Sequence, residues 1–74
     1  MKTSKPIYEL YHPLSDYDNR EYAIIVRHNG CTSGYVKVEG TVFKHRFVRG
    51  VYNMRFIGYL KEKAFEEMVF LDLI

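Results

Sequence analysis

Short runs of alternating apolar and polar residues, separated by glycine, proline and asparagine, dominate this chain. A period of two is typical of β-strands, whose successive side chains point to opposite faces of a sheet. The run over residues 22–28 is apolar on both faces at its centre, which predicts a central strand. A helical turn beginning at Pro6 is an alternative for the first run. The pattern predicts strands over residues 6–12, 22–28, 35–39, 42–48 and 51–60.

Glycine and asparagine positions predict where these strands turn. Asn29-Gly30 is the strongest short hairpin signal in the chain. Because Gly34 follows four residues later, we expect a turn that is longer than two residues or contains a bulge. Gly40 is expected to mark a bend or a bulge. Residues 15–20 form a polar loop rich in side chains that bond their own backbone.

The pattern changes to a helical one near the C-terminus. Apolar residues recur there at spacings of three and four, with charged residues on the opposite side. This spacing predicts a short helix from residue 61 to about residue 69. Residues 69–74 would serve equally well as a last strand. The residues on the apolar side are Leu60, Ala64, Phe65, Met68 and Leu71.

These elements predict one mainly β domain over residues 1–74, of the β-rich α+β class. We expect an antiparallel sheet of four or five strands, or a small open barrel, with one short C-terminal helix. In the fourth strand we expect Phe43 and Phe47 to face the core. The predicted core consists of Leu10, Ile24, Val26, Val36, Val38, Phe43, Phe47, Met54, Phe56, Leu60, Phe65 and Met68.

Composition supports a folded protein with a thin core. Apolar residues make up 47% of the 74 residues, and the chain has seven tyrosines and five phenylalanines. A chain this short buries only about 60% of the surface that its unfolded form exposes. Self-association would cover surplus apolar surface, and the C-terminal segment is apolar on more than one side. We therefore expect a two-fold homodimer with Phe70 and Leu73 at the interface. The alternative is that this segment is the last core element of the fold, packed inside one chain.

Charge is distributed unevenly along the chain. Residues 41–63 contain six basic side chains and one acid, whereas residues 1–40 contain five of each sign. Residues 64–74 contain three acids and no base. Aromatic residues are interleaved with the basic stretch, as they are on surfaces that bind polyanions with stackable bases.

This combination predicts a non-catalytic binding protein, and a nucleic acid is the first candidate ligand. The expected surface is a basic aromatic β-hairpin whose cations contact phosphates and whose rings stack on bases. The alternative is a small regulatory or inhibitory protein that docks on an acidic patch of a larger protein, since tyrosine and arginine dominate interface hot spots. The predicted nucleic-acid-binding residues are Lys44, Arg46, Arg49, Arg55, Tyr52 and Tyr59.

Other chemistries are poorly supported by the sequence. Asp16 and Asp18 resemble the start of a calcium loop, but the later ligand positions of that loop do not match. His28 and Cys31 form only one close ligand pair, and neither has a complete catalytic set beside it. We therefore expect no metal, no cofactor and no enzyme activity. The single cysteine, with no signal-like or membrane-spanning apolar run, predicts a cytoplasmic protein without a membrane anchor.

Overall fold

The predicted strands and helix form in the order expected from the alternation pattern. The computed structural model describes residues 5–46 and 52–70. Five antiparallel strands make one sheet in the order β4-β3-β2-β1-β5, which confirms the predicted mainly β fold with a C-terminal helix. The elements are β1 (Ile7–Pro13), β2 (Arg20–His28), β3 (Cys31–Val38), β4 (Thr41–His45), β5 (Met54–Leu60) and α1 (Glu62–Phe70).

The Asn29-Gly30 pair forms a two-residue hairpin turn. Both residues have positive φ, 51° for Asn29 and 77° for Gly30, and His28 pairs directly with Cys31. Positive φ at both positions is the signature of a type I′ turn, whose twist matches that of the flanking strands. The expectation of a longer turn was therefore wrong. β3 begins at Cys31, ahead of the alternating segment that predicted it.

A second two-residue turn, Glu39-Gly40, sets which side of β4 faces the core. Its φ values are 50° and 84°, and it brings Val42 opposite Lys37 in the β3–β4 ladder. Val42 is only 5% exposed, whereas Phe43 is 51% exposed. The predicted inward face of this strand was therefore wrong at Phe43, because the turn fixes a register that buries the neighbouring residue.

β2 lies at the centre of the sheet, as its two apolar faces predicted. Four consecutive residues of β2 are buried, so both faces of the strand are covered. Ile24 is fully buried on the face that α1 covers, and Ile25 is 2% exposed on the other. The four residues are Tyr22, Ala23, Ile24 and Ile25.

A bulge in β5 decides the orientation of the rings on that strand. Leu10 of β1 pairs with Gly58, but the next residue, Tyr11, pairs with Phe56, so Ile57 is an extra residue. One extra residue changes the face on which every preceding side chain lies. Phe56 therefore lies on the face of the sheet opposite Leu60, where it is 47% exposed. The prediction that Phe56 belongs to the core was wrong.

Helix α1 covers one face of the sheet through its apolar side. The Phe65 ring stacks on Tyr8 of β1 with ring centroids 4.1 Å apart, and Val69 is fully buried. The Tyr22 hydroxyl donates a hydrogen bond of 2.9 Å to the Met68 carbonyl in the last turn of the helix. α1 is nine residues long, and the described part of the chain contains no helix with the length and hydropathy to span a membrane.

The predicted core is confirmed in part. Ile24, Met54 and Phe65 are buried, and Leu10, Val26, Leu60 and Met68 pack half-buried against the core cluster. Val36 and Val38 are half-buried, and Phe47 lies outside the described residues. Phe43 and Phe56 are the two exposed exceptions. The prediction omitted the buried residues Tyr8, Tyr22, Ala23, Ile25, Val42 and Val69.

Truncating the two phenylalanines should have different effects on stability. Phe65→Ala removes a ring that is 5% exposed and should lower the free energy of unfolding by about 3–5 kcal/mol. Phe56→Ala removes a half-exposed ring and should cost about 1–1.5 kcal/mol. Urea titration of both variants measures the difference. Equal losses would contradict the bulge that places Phe56 at the surface.

Candidate nucleic-acid interface

The predicted basic residues lie on opposite edges of the sheet. Lys44 and Arg46 belong to β4 or directly follow it, whereas Arg55 and Tyr59 belong to β5. β4 pairs with β3 and β5 pairs with β1, so the expected hairpin between these two strands was wrong. At about 4.8 Å per strand spacing, the two edges are roughly 19 Å apart along the sheet. Arg49 lies outside the described residues.

Three aromatic rings cluster at the β5 edge, on the face opposite α1. Phe56 lies edge-to-face against Tyr11, with ring centroids 5.5 Å apart, and against Tyr59, at 5.2 Å. The Tyr11 hydroxyl donates to a Glu9 carboxylate oxygen at 3.2 Å. Tyr59 is 70% exposed. We call Tyr11, Phe56 and Tyr59 the β5 aromatic patch. Its rings are exposed to solvent, and each is held in position by contact with a neighbouring ring.

Two exposed cations lie near the ends of β5. Arg55 pairs with His12, so it lies on the α1 face of the sheet, opposite the β5 aromatic patch, whereas Lys61 directly follows the end of β5. Neither forms an ion pair within residues 5–46 and 52–70. By contrast, Arg20 pairs with Asp18, and the Arg27 guanidinium pairs with Glu9 at 3.1 Å. Arg55 and Lys61 are therefore more available to an external anion.

Tyr52 lies where the chain enters β5. Its side chain is 61% exposed, and its carbonyl accepts a hydrogen bond of 3.1 Å from the Arg20 guanidinium. The next carbonyl, of Asn53, accepts one of 3.1 Å from the backbone N–H of Leu14. These bonds tie the start of β5 to the loop between β1 and β2. No ring contact within the described part of the chain joins Tyr52 to the β5 aromatic patch.

A groove lies at the other edge, between the start of β3 and the end of β4. The pairing of Gly34 with His45 brings these two segments together. The groove has a volume of about 490 Å³, and none of its lining residues in the described part of the chain is acidic. The sequence analysis identified Lys44 and Arg46 but not Thr32 and Ser33. A two-residue turn at Asn29-Gly30 would have predicted that these two residues belong to β3. We call this the β4 groove, lined by Cys31, Thr32, Ser33, Lys44, His45 and Arg46.

Both sites extend to the same end of the sheet. β1 is antiparallel to β2 and to β5, and β3 is antiparallel to β2 and to β4. β2, β4 and β5 therefore run in the same direction, and Arg27, Arg46 and Lys61 lie where they end. The loop and turn residues Asp18 and Glu39 lie at the opposite end. Arg27, Arg46 and Lys61 thus lie at one end of the sheet, and Asp18 and Glu39 lie at the other.

The histidines and the thiol considered from the sequence lie on different parts of the sheet. His28 and Cys31 face each other beside the first turn, whereas His12 is on β1 and His45 on β4. Among residues 5–46 and 52–70, no three His, Cys, Asp or Glu side chains are grouped as a metal site would require. Cys31 is exposed and has a free thiol.

The predicted dimer residues are only partly described. Phe70, the last residue of α1, is 54% exposed, and its ring lies edge-to-face against Phe65 at 5.8 Å. Leu73 lies outside the described residues. Self-association through this segment stays a prediction.

Asp18 and Arg20 form the best-defined ion pair of the structure. The Arg20 Nε donates to both Asp18 carboxylate oxygens, at 2.8 and 3.0 Å, and the Arg20 backbone N–H donates at 2.9 Å. Hydrogen bonds from the guanidinium, followed by the backbone bond, lower the pKa of Asp18 from its ordinary 3.8 to about 2. Because Arg20 also holds the Tyr52 carbonyl, this pair connects the acidic loop to the start of β5.

Comparisons of the chain with protein-family models, with curated proteins and with solved structures found no match. The function of the two sites is therefore inferred from the chemistry of the surface.

Stability should fall as the pH drops from about 4 to 2, because the depressed pKa of Asp18 stabilises the fold only while the carboxylate is ionised. Asp18→Asn should flatten this part of the pH profile and lower stability at neutral pH. Asp16→Asn removes the same charge from an exposed loop position and should keep the wild-type profile. Urea midpoints between pH 2 and 7 measure all three proteins. If Asp18→Asn lost as much stability between pH 4 and 2 as the wild type, the Asp18–Arg20 pair would not be the source of the pH dependence.

Proposed function

We propose that this chain is a non-catalytic nucleic-acid-binding domain and that single-stranded bases stack on its β5 aromatic patch. The observation that carries the proposal is the exposed ring cluster at a sheet edge, with Lys61 directly after the strand that carries Phe56 and Tyr59. Arg55 lies on the other face of the same edge strand. Rings provide a stacking surface for any base, and cations provide contacts to the backbone of the strand.

The geometry of the rings suits stacking of a nucleic-acid base on their exposed faces. The edge-to-face contacts of Phe56 restrict the side-chain rotations of Tyr11 and Tyr59. Binding a base therefore costs little additional side-chain conformational entropy. Tyr59 exposes most of its surface, which leaves room for a base against the ring. A duplex hides the faces of its bases inside the stack, so a single strand fits this surface better.

The spacing of the cations fits a strand that follows β5. Arg55 and Lys61 are six positions apart in the sequence, which is roughly 20 Å at about 3.3 Å per residue. Several nucleotides would therefore lie above the rings, and because β5 is an edge strand, their backbone would reach Arg55 around its outer side. Each phosphate neutralised on a single strand should contribute about −0.7 to the log–log salt slope.

Tyr59→Ala should weaken binding to single-stranded oligonucleotides by about 5- to 150-fold, because one stacked base is worth about 1–3 kcal/mol. Fluorescence anisotropy at two salt concentrations, with single- and double-stranded probes, measures the change. Tyr17→Ala is the matched control, since Tyr17 is 99% exposed in the loop between β1 and β2. Failure of the wild-type protein to bind any oligonucleotide at low salt would refute the proposal.

A second candidate function is docking on a larger protein, and the exposed apolar residues on the sheet favour it. Ile7 and Phe43 are 50% and 51% exposed, and the outer side of β4 pairs with no described strand. An unpaired edge strand can extend a partner's sheet, with exposed side chains filling pockets of the partner.

Affinity capture from the native host, with and without nuclease, separates the two functions. Nucleic-acid binding predicts that the partners are lost after nuclease treatment. A stoichiometric protein partner that survives nuclease and is lost in Phe43→Ser would instead support docking on a protein.

A further inference from the structure

We infer that the β4 groove is a separate phosphate-binding site and that it holds a phosphodiester of the strand whose bases stack on the β5 aromatic patch. The source of the phosphate rests on the proposed function, whereas the chemistry of the groove can be tested without it. Sequence reasoning assigned Lys44 and Arg46 to one hairpin with Arg55 and Tyr59. The structure instead separates them by the width of the sheet.

The lining of the β4 groove matches the donors that a phosphate needs. Lys44 carries three N–H donors and Arg46 carries a planar fork of five. The Ser33 hydroxyl adds a neutral donor on the same face of the sheet as Lys44, whereas Thr32 lies on the opposite face. Arginine recognises phosphate oxygens in a two-pronged geometry, while lysine acts as a point charge. The lining therefore combines both kinds of cation contact with side chains that can donate to the remaining oxygens.

The electrostatics of the surroundings also favour an anion. Within residues 5–46 and 52–70, no carboxylate lines the groove, and neither Lys44 nor Arg46 forms an ion pair. In the neighbouring ladder, Thr32 pairs with Arg27, whose own charge is balanced by Glu9. Among the described residues, no acid therefore compensates the two cations at this edge, and a bound anion would relieve their mutual repulsion.

The volume and position of the groove suit a backbone phosphate better than an enclosed small ligand. At about 490 Å³ it can hold a phosphate together with part of the adjoining sugars. The groove and Lys61 lie at the same end of the sheet because β4 and β5 both end there. A strand leaving the β5 aromatic patch at Lys61 can therefore cross this end past Arg27 and reach Arg46, provided that it passes over the end of the sheet to the face on which Lys44 lies.

Pyrophosphate titration followed by amide NMR tests the groove itself. Saturable shifts are expected at Thr32, Ser33 and the end of β4, and Lys44→Gln/Arg46→Gln should weaken binding by about tenfold or more. Lys5→Gln/Lys63→Gln removes the same total charge outside both sites and should leave the affinity unchanged. Shifts that do not saturate, or an equal loss in the control variant, would overturn the phosphate site.

Oligonucleotides of two lengths then test the source of the phosphate. Lys44→Gln/Arg46→Gln should weaken binding of a 12-nucleotide strand about tenfold and reduce the salt slope by about 1.4, which corresponds to two phosphates. A trinucleotide, too short to reach both edges when stacked at about 3.4 Å per nucleotide, should bind the variant and the wild type within about twofold.

The possible failures of the two proposals are distinguishable. Pyrophosphate binding in the groove without any oligonucleotide binding would refute nucleic-acid binding, and with it the idea that one strand occupies both sites. The groove would then be a site for small phosphorylated ligands. Oligonucleotide binding that is lost in Tyr59→Ala but unaffected by Lys44→Gln/Arg46→Gln at both lengths would keep the proposed function and overturn the shared strand.

Discussion

The contact between Phe65 and Tyr8 is the interaction on which the rest of this structure depends. A 74-residue chain has little surface to bury, and its sheet needs a cover for one face. Stacking Phe65 on Tyr8 brings α1 across the sheet, where Val69 becomes fully buried. The Tyr22 hydroxyl then fixes the last turn of the helix through the Met68 carbonyl. The buried residues of one short helix thus connect the central and outer strands through a single apolar cluster.

The direction of the strands determines where the charges lie. Since β2, β4 and β5 run in the same direction, the basic residues at their C-terminal ends come together at one end of the sheet. The acids of the β1–β2 loop and the β3–β4 turn lie at the other end. Two arginines, Arg20 and Arg27, are neutralised by structural ion pairs. The cations on the edge strands are without such pairs in the described residues, and on this basis we propose that an anionic ligand binds there.

The bulge at Ile57 links the stability of the fold to its proposed function. Without the extra residue, Phe56 would lie on the same face as Leu60 and add to the core. With it, Phe56 joins Tyr11 and Tyr59 at the surface, and the core of a small domain loses one large ring. Bulges often redirect side chains next to functional sites. The exposed rings, which we propose bind bases, are therefore obtained at the expense of core volume.

Local physical rules determined much of this protein from its sequence. Period-two alternation identified the strands, the two apolar faces of residues 22–28 identified the central strand, and apolar spacing identified α1. The basic stretch and its interleaved rings were also visible, and they led to the residues of both candidate sites.

Tertiary structure decided which strands became neighbours and which faces turned inward. Strands β4 and β5 are consecutive in the chain, so sequence reasoning paired them, but the fold places them on opposite edges. The faces of Phe43 and Phe56 depended on one turn register and one bulge, and a shift of a single residue reverses a face. The alternation of apolar and polar residues along the chain is nearly the same before and after such a shift, so this pattern cannot show which face turns inward. Only the competition between strands for partners, and the burial of one face under α1, selects among the alternatives.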